Sequence, residues 1–148
     1  MASSGKLNVE VKVKSNAKKM WESIMDFVTL FPKAMPDVYK TIQVLEGDGK
    51  SVGSVIIKFG EGLPPVTEKI DELDEGNKTV AYSVVDGELL KYYKSFRANL
   101  TVVPKGEGSL VKWGCEFEKA SEETIDPESY KDFAVKNIEQ LDAYVLNA

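Results

Sequence analysis

At 148 residues, 43% of them apolar and 29% charged, the chain is long enough to bury one core and too short for two ordinary domains. Its 19 Lys and Arg against 24 Asp and Glu give a formal charge of -5 without a basic tail or stripe, which argues against a nucleic-acid backbone as partner. The absence of His removes the commonest general base, the Ser-His-Asp and Cys-His arrangements and every His-ligated metal or haem site, and a lone Cys, Cys115, removes the internal disulfide and the thiolate cage.

From Lys6 to Lys14, Leu7, Val9, Val11 and Val13 alternate with Lys6, Asn8, Glu10, Lys12 and Lys14, the period-two pattern of a half-buried strand. Ser15 stands where it would cap a helix, whose apolar residues Ala17, Met20, Trp21, Ile24, Phe27 and Val28 recur at three- and four-residue spacing. Phe31-Pro-Lys-Ala-Met-Pro36 breaks that helix and permits at most a short second one, after which a strand is expected near Val38 to Leu45. Short β-prone segments follow, divided by turn signals, and read as an antiparallel meander. Gly47-Asp-Gly49 precedes Val52 to Phe59, and Gly60-Glu-Gly62 with Pro64-Pro65 precedes Val66 to Leu73. Glu75-Gly-Asn-Lys78 leads to Val80 to Val85, Asp86-Gly87 to Leu89 to Val103, and Lys105-Gly-Glu-Gly108 to Leu110 to Glu118. The long Leu89 to Val103 segment is expected to bend or twist strongly.

Asp126-Pro127-Glu128 reads as a helix start, with a capping Asp, Pro at the first helical position and an acid in the first turn. Tyr130, Phe133, Ala134, Asn137, Ile138, Leu141, Tyr144 and Val145 then form one apolar stripe, and a helix running to Leu146 would span about 30 Å. These elements predict an α+β fold: a seven-stranded antiparallel curved sheet wrapped around a long C-terminal helix, with two short helices, in a single domain over 1–148. A sheet curled round one helix leaves space for a hollow between them.

The order of these elements, with Phe31-Pro-Lys-Ala-Met-Pro36, Leu45-Glu-Gly-Asp-Gly49, Val52-Gly-Ser54, Leu89-Leu-Lys-Tyr-Tyr-Lys-Ser-Phe96, Glu107-Gly-Ser-Leu-Val-Lys-Trp113 and Asp126-Pro-Glu-Ser-Tyr130, resembles the plant major latex protein branch of the birch-pollen-allergen (pathogenesis-related class 10) superfamily over nearly the whole chain. The resemblance implies a helix-grip fold around a large cavity that takes apolar plant metabolites such as steroids, flavonoids, cytokinins or lipids. It also admits a minority of enzymes: norcoclaurine synthase, thebaine synthase and an iridoid cyclase. The catalytic Lys of the first has no assignable counterpart among Lys58, Lys69, Lys91 and Lys94.

Gly49-Lys50-Ser51 imitates the end of a phosphate-binding loop, but the Gly required five positions earlier is Val44 and strands rather than a helix follow, so a glycine-rich hairpin is expected. Parity in Val66-Thr-Glu-Lys-Ile-Asp-Glu72 places Glu68 with Val66 and Ile70. On the core face this carboxyl would lie in an apolar pocket, where burial disfavours its charge and lets it exchange a proton near neutrality; a bulge or edge would instead send it to solvent. The allergen-type relatives carry an acid at the matching place. Tyr82 shares a face with Val80 and Val84, and Tyr92 with Phe96, Ala98 and Leu100; each phenol has an apolar body and a polar tip. Cys115 points inward with Trp113 and Phe117 and reads as a small hydrophobe. Asn137 interrupts the stripe between Phe133 and Leu141 and needs a partner, from backbone, water or ligand. Phe27, Phe31 and Met35 stand where they would form either core or a deformable lip.

The expected lining is thus Ile24, Val28 and Phe31 from the first helices, Phe59, Glu68, Ile70, Val80, Tyr82 and Val84 from the meander, Tyr92, Phe96, Trp113 and Cys115 beyond it, and Phe133, Asn137 and Leu141 from the last helix. The expected function is binding of a small hydrophobic metabolite by a monomer or weak dimer, with no cofactor, metal, nucleic-acid or membrane partner. The alternative is a cofactor-free cyclase or isomerase in which Glu68, Tyr82 and Tyr92 act on a reactive intermediate such as an iridoid enol. No apolar run approaches the ~20 residues of a membrane span and Met1 to Lys6 hold no signal-peptide core, so the expected compartment is the cytoplasm.

Overall fold

In the computed structural model, which describes residues 3–60 and 63–147, the alternating N-terminal segment forms strand β1 (Ser4–Val13). Helix α1 (Ala17–Met25) is capped by Asn16, not Ser15: the Asn16 side chain accepts the Lys19 N–H at 2.9 Å. Ser15 is buried instead, its N–H donating to Asp142. The expected single helix to Val28 breaks at Asp26, and α2 (Phe27–Ala34) runs through Phe31 and Pro32 before ending. Met35, the residue before Pro36, leaves helical dihedrals at φ -133 and ψ 62 and ends this second helix after eight residues.

Strand β2 (Thr41–Glu46) starts later than expected, because the Val38 and Tyr39 N–H groups turn back onto the Met35 carbonyl. Strand β3 (Val55–Gly60) also starts later, Val52 and Gly53 being used in a turn closed by Ser54 N–H on Ser51. The turn expected at Gly60-Glu-Gly62 falls largely on residues outside those described. Strand β4 (Leu63–Asp74) begins earlier than Val66 and absorbs Pro64-Pro65, and β5 (Thr79–Gly87) follows. The expected continuous Leu89 to Val103 strand is divided: Glu88–Lys91 is one turn of 3-10 helix, and β6 (Tyr93–Lys105) begins with a bulge between Tyr93 and Ser95. That bulge shifts the parity, so Tyr93 joins Phe96 on the buried face and Tyr92 stays 53% exposed.

Strand β7 (Gly108–Lys119) completes a seven-stranded antiparallel sheet in the order β1-β7-β6-β5-β4-β3-β2. Helix α3 (Glu128–Leu146) starts two residues after Asp126; Pro127 holds the cap position and the Asp126 carboxylate instead pairs with Lys119 at 2.7 Å. Ala134, Ile138, Leu141 and Val145, spaced at three and four, are buried as α3 packs on β1, β7, α1 and α2. Asp142 ties this helix to the end of β1 by accepting the Lys14 and Ser15 N–H groups, each at 3.0 Å. The Gly47–Gly53 loop is the expected structural hairpin. Asp48 accepts the Lys50 and Ser51 N–H groups, at 2.8 and 2.7 Å, so the amides a phosphate would need are already held.

Candidate functional site

A cavity of about 330 Å³ lies between the concave face of the sheet and the flank of α3. One end is walled by Phe31, Tyr39 and Phe133, with neighbouring centroids 5.7 to 6.3 Å apart, and Phe27 packs edge-on against Phe31 behind them at 6.1 Å. The other end carries Phe96 and Tyr130, 5.6 Å apart, backed by Tyr93. Glu88, Leu89 and Tyr92 meet Pro64, Pro65 and Val66 along one margin. The close approach there requires Gly87: at φ 129, a Cβ on it would lie 2.8 Å from the Pro65 carbonyl oxygen.

Ile24, Phe31, Glu68, Tyr82, Val84, Tyr92, Phe96, Trp113, Phe133, Asn137 and Leu141 all line this space. Ile70 and Val80 line a smaller neighbouring cavity of about 80 Å³. Three residues of the expected lining do not reach either. Phe59 alternates with the inward Lys58 and pairs with Thr41 on the opposite face. Val28 turns toward the hairpin loop, with its Cγ2 3.6 Å from where a Gly49 Cβ would stand. Cys115 is 1% exposed, packed between its ladder partners Leu7 and Ala98, and burial pushes its thiol up to about 11, that of an inert buried residue. Met35 is buried core, Phe27 is buried and lines the smaller cavity, and Phe31 lines the larger one. Tyr92 touches the space from an exposed position and is remote in burial from the phenols inside.

Glu68 points inward, and the apolar pocket expected around it also holds Lys58. Register pairs Ile56 with Glu68 and Lys58 with Val66, which makes Lys58 and Glu68 diagonal neighbours on the inner face. Their charged ends meet at 2.9 Å, with the side chains only 13% and 12% exposed. The Lys58 ammonium also lies 5.7 Å from the Phe27 ring centroid, 5.9 Å from Tyr39 and 5.7 Å from Tyr82. Burial opposes its charge, but the Glu68 carboxylate and the two phenols outweigh burial and hold the ammonium above the ordinary lysine range.

Two phenols flank this pair. Tyr39, absent from the expected lining, accepts the Asn137 amide N–H at 2.8 Å, and Tyr82 accepts the Trp113 indole N–H at 3.3 Å. Burial first, then the Glu68 carboxylate, pushes the Tyr82 phenol up to about 12; burial also raises Tyr39 against the pull of Lys58. Both therefore keep their protons at neutral pH and offer O–H donors to the cavity. Asn137 Oδ1 is buried with no partner among the described residues. The arrangement suits an apolar molecule with an oxygen for the phenols, and among the described residues no cluster of His, Cys, Asp or Glu is placed to hold a metal ion.

Comparison with known proteins agrees with this architecture. Residues 2–148 match the pathogenesis-related protein Bet v 1 family. The chain is 52% identical over 150 residues to MLP-like protein 423 of Arabidopsis thaliana, covering 99% of this chain and 97% of that one. Its fold superposes on the crystal structure of major latex-like protein 151 from Panax ginseng with a TM-score of 0.88, at 30% identity, covering 98% and 99% of the two chains. Norcoclaurine synthase from Thalictrum flavum, crystallised with dopamine and hydroxybenzaldehyde, shares the fold at a TM-score of 0.75 and 19% identity, covering 97% of this chain and 87% of that one.

Proposed function

The chain belongs to the Bet v 1 family as a major latex-like member, and from that premise we propose that it binds a small hydrophobic or amphipathic metabolite in its internal cavity, as a carrier or buffer. The observation that carries this reading is the 330 Å³ space between sheet and helix, walled by aromatic and aliphatic side chains and furnished with a few polar groups at one place. Burial of the ligand's apolar surface supplies the binding energy at roughly 25 cal/mol/Å², while Tyr39, Tyr82 and Asn137 orient it. Binding needs no cofactor and no second chain. A lone buried thiol supports a reducing compartment such as the cytoplasm.

A second reading, a cofactor-free cyclase or isomerase, is favoured by one observation: two protonated phenols and an ion pair stand together inside an apolar space. There they would polarise a carbonyl and hold a reactive intermediate, such as an iridoid enol closing to a nepetalactol-type product, in a folded conformer. Glu68, the acid that the sequence offered for this scheme, is engaged by Lys58, which ranks binding first.

Incubation with a plant metabolite extract and with enzymatically generated iridoid and alkaloid intermediates separates the two. Retention of an unaltered molecule, read by mass spectrometry with a rise in Tm, supports the carrier. A product ratio altered at substoichiometric protein, and lost in Tyr82→Phe, supports the enzyme. Neither retention nor turnover across terpenoids, flavonoids and fatty acids refutes both.

A further inference from the structure

The polar centre of the cavity has the form of a cation site. Three aromatic faces, those of Phe27, Tyr39 and Tyr82, converge at 5.7 to 5.9 Å on one point, and a carboxylate, Glu68, lies 2.9 Å from it. That point is filled by the chain's own Lys58 ammonium. We propose that Lys58 is a specificity-determining residue that occupies this ring-and-carboxylate site from within, so that the cavity takes uncharged oxygen-bearing molecules and rejects those carrying an ammonium group.

The inference rests on the ligand-binding reading above and narrows its ligand class. An incoming ammonium must shed its water, and the groups that would repay that loss face Lys58 already. Among the described residues the only other ionic side chain lining the cavity is Glu88, which is exposed and outside the ring cluster. A neutral ligand meets no such conflict. The phenols of Tyr39 and Tyr82 have spent their acceptor side on Asn137 and Trp113 and keep their O–H groups to donate, so a hydroxyl or carbonyl oxygen finds partners where a second cation would not.

The test uses three probes of one shape: 2-naphthalenemethanol, its ammonium isostere 2-(aminomethyl)naphthalene, and 2-methylnaphthalene, titrated calorimetrically into the full chain near neutral pH. Wild-type protein is expected to bind the alcohol at least about tenfold more tightly than the ammonium. Desolvation alone also disfavours the ammonium, so the variants carry the assignment to Lys58. Lys58→Met frees the rings and the carboxylate together and is expected to close or reverse the alcohol-to-ammonium ratio. Glu68→Gln leaves the lysine charge uncompensated and is expected to widen it, which keeps the question decidable if Lys58→Met does not fold. An ammonium bound as tightly as the alcohol by wild type, or a ratio that neither variant moves, overturns the proposal while leaving ligand binding intact. If none of the three probes binds, the ligand-binding reading falls and takes this inference with it.

Discussion

Removing the carboxylate from the buried pair tests whether the cavity centre is electrostatically coupled as its geometry states. In Glu68→Gln the Lys58 side chain, 13% exposed, keeps its position among three rings but loses the charge 2.9 Å away. Breaking a buried pair from one side costs about 3–5 kcal/mol, which for a chain of this length is a fall in Tm of about 10 °C at pH 7. The pH dependence gives a sharper criterion. In the wild type the folded-state value of Lys58 is raised, so both folded and unfolded chains carry its proton below an ordinary lysine value of about 10.4, and Lys58 contributes no slope between pH 7 and 9.5. Without Glu68, the largest remaining influence on Lys58 is burial, which lowers its value. The unfolded variant then binds the proton more readily than the folded one, and the variant gains stability as pH rises toward 10. Urea unfolding of both proteins at pH 7 and 9.5 should show the gap narrowing. A deficit under about 1 kcal/mol at pH 7, or a gap that does not shrink with pH, refutes the coupling.

Three further perturbations follow from particular contacts. Asn16→Ala should cost about 1 kcal/mol by removing the α1 cap, whereas Ser15→Ala, which deletes a buried hydroxyl with no partner among the described residues, should be neutral or stabilising; urea unfolding showing the reverse order would return the cap to Ser15. Asp142→Ala strands the Lys14 and Ser15 N–H groups at the joint between β1 and α3 and should cost roughly 2–5 kcal/mol, a loss that a chemical-denaturation midpoint near wild type would contradict. Cys115, raised to about 11 and 1% exposed, should react with a thiol reagent at pH 8 only as fast as the chain opens, and rapid labelling of the folded protein would disprove its burial.

Periodicity carried the fold because most of its elements satisfy a single pattern along their whole length. The alternation from Leu7 to Val13 admits only a strand, and the stripe from Tyr130 to Val145 only a helix. The misplacements fall where local rules compete. At Ser15 and Asn16 both residues can cap, and the choice passed to Asp142, a residue 127 positions away whose carboxylate claims the Ser15 N–H. At Tyr92 and Tyr93 the composition favours a strand throughout, yet the 3-10 turn and the bulge after it exchange which tyrosine is buried. A bulge changes parity without changing composition, so no reading of local pattern locates it.

The same limit explains why the cavity's surface was more legible than its centre. Glu68, Tyr82, Trp113 and Asn137 stand out because each is a polar or amphipathic residue set in an apolar row. Lys58 stands in a row of its own kind of ambiguity: within Val55-Ile-Ile-Lys-Phe59 both faces carry apolar residues, so alternation alone lets Phe59 point inward and Lys58 outward. What reverses the assignment is pairing. Once Ile56 is set opposite Glu68, an inward Lys58 acquires a carboxylate two positions along the neighbouring strand, and the arrangement with Phe59 inward would leave that carboxylate buried alone. The lysine is therefore inside because the acid is inside, and the acid tolerates its place because the lysine is there. A charge pair formed across strands is a property of register, and its two halves are recognisable in the sequence only after one of them has been placed.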